Sequence, residues 1–135
     1  MTPMTIAEIV VATGLVSLAL GAVSGFALLA AVDKPELLKR VGVVDLVRVR
    51  QVHLDWIIMG VVMIAVGLAV PNMPLWAGVL TLFGGVVNPA TFLPMAFSRT
   101  VASTRTFQTV SFISFCSLSV GLIANSLVYI SRFVS

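Results

Sequence analysis

Three stretches without a single charged side chain dominate this sequence: Ile9 to Val32, Trp56 to Ser98 and Thr106 to Ser131. A helix needs about 20 predominantly apolar residues to cross the hydrocarbon core of a bilayer. The middle stretch is about twice that length and is broken by Pro71-Asn72-Met73-Pro74, whose two prolines read as a tight turn. The pattern predicts four transmembrane helices, at about 6–32, 45–70, 75–97 and 107–131, in a single domain spanning residues 1–135. Strands are excluded, because a lipid-facing sheet must close into a barrel of alternating polarity and these runs do not alternate. With 59% hydrophobic and 10% charged residues, the chain lacks the polar surface of a soluble globule. The expected fold class is an all-α, four-helix transmembrane bundle with the lipid bilayer as its solvent.

The few charges orient the bundle. Lys34, Lys39, Arg40, Arg48 and Arg50 fall in the first connection and Arg99 and Arg105 in the third, against Arg132 alone beyond the fourth helix. The positive-inside rule then places both basic connections in the cytoplasm and both termini outside. This distribution explains the net charge of +3 without a nucleic-acid partner. The first segment is not expected to be a cleavable signal, since Glu8 stands where a signal carries Lys or Arg and the apolar run outlasts a signal core. Cys116, the only cysteine, lies in the middle of the fourth segment and has no internal disulfide partner.

Local signals divide the first connection. Asp33 followed by Glu36 reads as the cap of a short helix, Gly42 as its end, and Asp45 as the cap of the second span. Gly14, Gly21 and Gly25 form a small-residue stripe on the first span, suited to close helix packing. From Asp45, the only histidine, His53, lies about 12 Å along the second helix at 1.5 Å per residue, while Arg48 and Arg50 snorkel back towards water. His53, Gly60 and Gly67 are spaced by seven and therefore share a face, flat and without side chains below the imidazole. Either another backbone or a planar group is expected against it. Ionisable groups at membrane depth are functional candidates by default; the alternative reading is a cofactor-free membrane subunit in which His53 only satisfies a polar contact near a helix end. Asp55 points to the opposite side and is expected to pair with Arg99 or Arg105.

A second polar cluster, Gly84 to Pro94, lies on the third span. Pro89 removes a backbone donor, so a kink is expected there. Asn88 and Thr91 share a face, with Phe92 one turn from Asn88; an asparagine in a membrane helix usually bonds a neighbouring helix. Asn88-Pro89-Ala90 is also the aquaporin tripeptide, but those channels need two copies on facing half-helices and this chain has one. With no Cys/His pair, no second histidine and no paired acidic residues within a span, the inventory excludes a soluble-style hydrolase triad and nearly excludes a multi-residue zinc site. A metal bound by His53 must bring most of its own ligands. Haem does so, because the porphyrin supplies four nitrogens and the protein only an axial one.

Arg50, His53-Leu54-Asp55 and Gly60 to Pro71 resemble the second helix of the styrene oxide isomerases and their relatives, the hydroxylaminobenzene mutases, small membrane haem proteins of four helices. The similarity covers about residues 46–97 and includes an asparagine at the position of Asn88. It implies a homotrimer in a bacterial cytoplasmic membrane, binding haem b between protomers with His53 on the iron. By the same resemblance Arg50, Trp56 and Gly60 would line the cofactor site, Asn88 would orient a small hydrophobic substrate, and Met59, Thr91 and Phe92 would form its pocket. The implied reaction is isomerisation of an epoxide to a carbonyl compound with ferric iron as Lewis acid; a hydroxylaminoarene mutase, or a haem protein without catalysis, is the alternative. Met59, Gly84 and Phe92 stand where the isomerase pattern has Asn, Asp and Tyr.

Overall fold

The computed structural model describes residues 2–134, which fold into helices with no strand among them. Four of these helices are long and apolar enough to cross a membrane: α1 (Ile6–Asp33), α3 (Leu46–Ala69), α4 (Leu75–Phe97) and α5 (Arg105–Val134). A short α2 (Pro35–Arg40) and a 3₁₀ turn (Val101–Ser103) occupy the two basic connections. The chain is a multi-pass membrane protein, with each span within a few residues of its expected limits. The largest difference is α5, whose 30 residues extend beyond the expected 107–131 at both ends.

The helix ends follow from local chemistry. Thr5 and Glu8 form a capping box on α1: the Glu8 N–H donates to Thr5 Oγ1 at 3.2 Å and the Thr5 N–H to Glu8 Oε2 at 2.7 Å. Asp33 does not cap α2, as the spacing to Glu36 suggested, but is the last residue of α1. The break falls at Lys34, with φ −141°, because Pro35 disfavours helical geometry in the residue before it and itself fits the first helical position. Gly42 ends α2 with φ +94°, a left-handed conformation that favours glycine. Asp45 caps α3 by accepting from the Val47 N–H at 3.0 Å. The turn expected at Pro71–Pro74 separates α3 from α4, which then continues through Pro89 and Pro94.

Two close helix pairs, α1 with α3 and α4 with α5, meet where α3 packs on α4. Lipid tails are as apolar as leucine, so helices in a membrane associate through close approach and interhelical hydrogen bonds rather than hydrophobic collapse. Glycine makes that approach possible here. A Cβ on Gly14 would stand 2.8 Å from the Gly60 carbonyl oxygen, and one on Gly60 2.9 Å from that of Gly14. Across the other pair, a Cβ on Gly84 would stand 2.7 Å from the Leu118 amide nitrogen. Between the pairs, fully buried Met63 fills the space left by Gly85, within a cluster that includes Val10, Val70 and Met73. Large side chains such as Phe26, Leu68 and Phe112 cover the outside, as lipid contact requires.

The orientation expected from the basic connections has a direct test. In right-side-out vesicles, Lys39→Cys in a Cys116→Ser background should react with a membrane-impermeant maleimide only after permeabilisation. Labelling of intact vesicles would reverse the topology.

Candidate functional site at His53

The α1/α3 seam holds His53 by its Nδ1. That nitrogen lies 2.8 Å from the Gly21 carbonyl oxygen and 3.3 Å from Ser24 Oγ. A carbonyl can only accept, so this pairing assigns the proton to Nδ1. The Ser24 hydroxyl donates to the same carbonyl at 2.8 Å, which leaves its oxygen free to accept from the imidazole. In the neutral ring, Nε2 then carries a lone pair. A Cβ on Gly25 would come 3.3 Å from His53 Cε1, so glycine there lets the ring lie against α1. The imidazole stays half-buried.

The face beneath it is filled. Gly60 meets Gly14 and Leu18, and Gly67 meets Ala7 and Val11. Of the two occupants expected on the His53–Gly60–Gly67 face, a neighbouring backbone is the one present. Arg50, one turn nearer the start of α3, is exposed and lines a small groove with Leu28, Ala31 and Val32. Trp56 is half-buried a heptad from Met63, and Met59 packs against the Met63 cluster.

The predicted pairing of Asp55 with Arg99 or Arg105 is not formed. The ion pairs among the described residues are Lys39–Glu36 at 3.3 Å and Arg48–Asp45 at 3.6 Å. Arg99 donates instead to the Val44 carbonyl at 3.4 Å, at the very start of α3. Asp55 lies more than two turns further along, about 15 Å at helical rise, and half-buried.

Asn88 belongs to the α4/α5 seam. It is 5% exposed, and its Oδ1 accepts from the Ser114 hydroxyl of α5 at 2.5 Å. Thr91 donates to the Asn88 backbone carbonyl at 2.7 Å and lines a groove beside the start of α5, with Phe92 half-buried on the adjacent side. Further along the seam, Asn125 Nδ2 donates to Thr81 Oγ1 at 3.2 Å, and the Thr81 hydroxyl donates to the Ala77 carbonyl. His53, Arg50 and Gly60 are thus gathered on the α1/α3 side, while Asn88 and Thr91 lie on the other. The resemblance gave no role to Ser24, Ser114, Thr81 or Asn125. A signal for Ser114 and Asn125 was available, since Ser114, Leu118, Gly121 and Asn125 recur at helical spacing on the fourth span.

Among the described residues, no three His, Cys, Asp or Glu side chains converge on a point where they could hold an ion. A scan of protein-family models finds no match to the chain, and neither does comparison with curated proteins or with solved structures.

Proposed function

We propose that this chain is a haem-b protein of a bacterial cytoplasmic membrane, with His53 Nε2 as the axial ligand, and that it isomerises small hydrophobic epoxides to carbonyl compounds. One observation carries the reading: the hydrogen bond from His53 Nδ1 to the Gly21 carbonyl. Metal-ligating histidines almost always donate their second ring N–H to a carbonyl or carboxylate, which fixes the tautomer and raises the basicity of the other nitrogen. A single such imidazole suffices for haem and for few other metal centres. Bound haem would supply a ferric Lewis acid able to polarise an epoxide oxygen.

The chain's own contribution is to position and to exclude water. Gly21 and Ser24 hold the imidazole, and Gly25, with no side chain, lets the ring lie against α1. Arg50 places a cation one turn away, suited to the carboxylates of the cofactor. Because α1 closes the Gly60–Gly67 face, His53 and Arg50 are the residues left to hold the cofactor, and a neighbouring copy would complete the site. The resemblance makes that assembly a homotrimer. Native mass spectrometry should find haem in trimers; a stable monomer with haem still bound would overturn the shared site.

An absorption spectrum of the detergent-purified protein tests the cofactor, since a preparation reconstituted with haem that shows no Soret band would end the proposal. A second reading, a haem protein of electron transfer or haem handling without catalysis, is favoured by the Asn88–Ser114 bond, which commits the asparagine's oxygen to α5. Asn88→Ala separates the two. If Asn88 orients substrate, turnover of aryl epoxides or of phenylhydroxylamine by haem-loaded protein falls at least tenfold, as for loss of an orienting contact, with occupancy unchanged. If it only joins helices, the change costs about 0.6–2 kcal/mol of stability and leaves any turnover intact.

A further inference from the structure

We propose that the cleft between the α2–α3 connection and the end of α4 holds the phosphate of an anionic phospholipid. The cleft measures about 790 Å³, and three cations, Lys39, Arg48 and Arg99, line it against one carboxylate, Asp45. Val43, Leu46 and Met95 supply its apolar wall. Since α3 begins and α4 ends here, the cleft sits at headgroup level in a bilayer that these helices span.

The cations are not equally committed. Lys39 faces Glu36 at 3.3 Å and Arg48 faces Asp45 at 3.6 Å. Arg99 forms no ion pair among the described residues; one nitrogen of its guanidinium reaches the Val44 carbonyl at 3.4 Å. A guanidinium carries five N–H donors in a fork that matches phosphate oxygens, so most of its donors remain for an anion. Basic pockets between helices on the cytoplasmic side are suited to anionic headgroups. Inorganic phosphate would satisfy the guanidinium but leave the apolar wall wet. A phospholipid satisfies both, with its phosphate at Arg99 and its glycerol and upper acyl chain along Val43, Leu46 and Met95.

Native mass spectrometry of the full chain in detergent, titrated with phosphatidylglycerol, phosphatidylcholine or inorganic phosphate, tests the assignment. Phosphatidylglycerol should bind about tenfold more tightly than phosphatidylcholine, given the excess of cations at the cleft. Arg99→Gln should weaken it about fivefold and Arg99→Gln with Lys39→Gln about 25-fold, at the usual worth of a basic residue near an anionic headgroup. Arg132→Gln, at the far end of α5, should leave it unchanged. Circular dichroism of each variant confirms the fold, which these exposed side chains do not hold together. Equal affinity for the two lipids, or unchanged phosphatidylglycerol binding in the double variant, would overturn the proposal. So would inorganic phosphate displacing phosphatidylglycerol at equal affinity, which would make this a site for the free anion.

Discussion

His53→Ala should abolish the Soret band of the purified protein while leaving its helical content near that of the parent. The two halves of this expectation have separate causes. The chain has one imidazole, so no other histidine can take over the iron. The fold survives because the ring is half-buried at a seam whose close approach depends on Gly14, Gly21 and Gly60. Losing the bond to the Gly21 carbonyl costs only about 1 kcal/mol. Added imidazole should restore part of the band by entering the vacated space as a free ligand. Ser24→Ala gives a graded control, since Nδ1 keeps the Gly21 carbonyl and the band should persist. An unchanged spectrum in His53→Ala would remove this residue from the cofactor site and the main support from the proposed function.

The largest effect on stability is expected from Gly84→Val. The first added carbon would stand 2.5 Å from Leu118 Cβ and 2.7 Å from the Leu118 amide nitrogen. A backbone atom cannot rotate aside as a side-chain tip can, so α4 and α5 must part. Parting them also stretches the Ser114–Asn88 and Asn125–Thr81 bonds, which join the same two helices. Overpacking costs about 1–3 kcal/mol, and each interhelical bond in a membrane averages about 0.6 kcal/mol. A loss of about 3 kcal/mol is therefore expected, despite the better helix propensity of valine than glycine. Unfolding in mixed micelles with increasing dodecyl sulfate, followed by circular dichroism, measures it. Val79→Ala, on the exposed side of α4, should change stability by less than about 0.5 kcal/mol. Equal midpoints for the two variants would show that the α4/α5 seam is looser than these distances.

What the sequence determined by itself is the number of membrane-crossing helices, their limits to within a few residues and some of their caps. The bilayer's thickness sets a length that an uncharged run either reaches or does not, and the ends are marked by residues acting within a turn of themselves. Gly42 and Asp45 do what their types predict. Asp33 is the instructive failure, because Pro35 dictates the geometry of Lys34 more strongly than an acidic side chain attracts free amides. Histidine and asparagine were legible as unusual, and the heptad spacing named the face that His53 shares with Gly60.

Which helix met that face was decided only by the tertiary structure. Val10 is fully buried and Val16 is 59% exposed on the same helix, although the two are the same residue. In water that difference would be written as polarity, since an exposed position tends to be polar. In lipid both environments are apolar, so hydropathy separates membrane from water but not interior from lipid. The partners across each seam follow instead from glycine meeting glycine and hydroxyl meeting amide over long sequence separations: Gly14 with Gly60, Ser114 with Asn88. That is why one polar residue of the second span and one of the third, which sequence alone could assign to a common site, lie in different helix pairs.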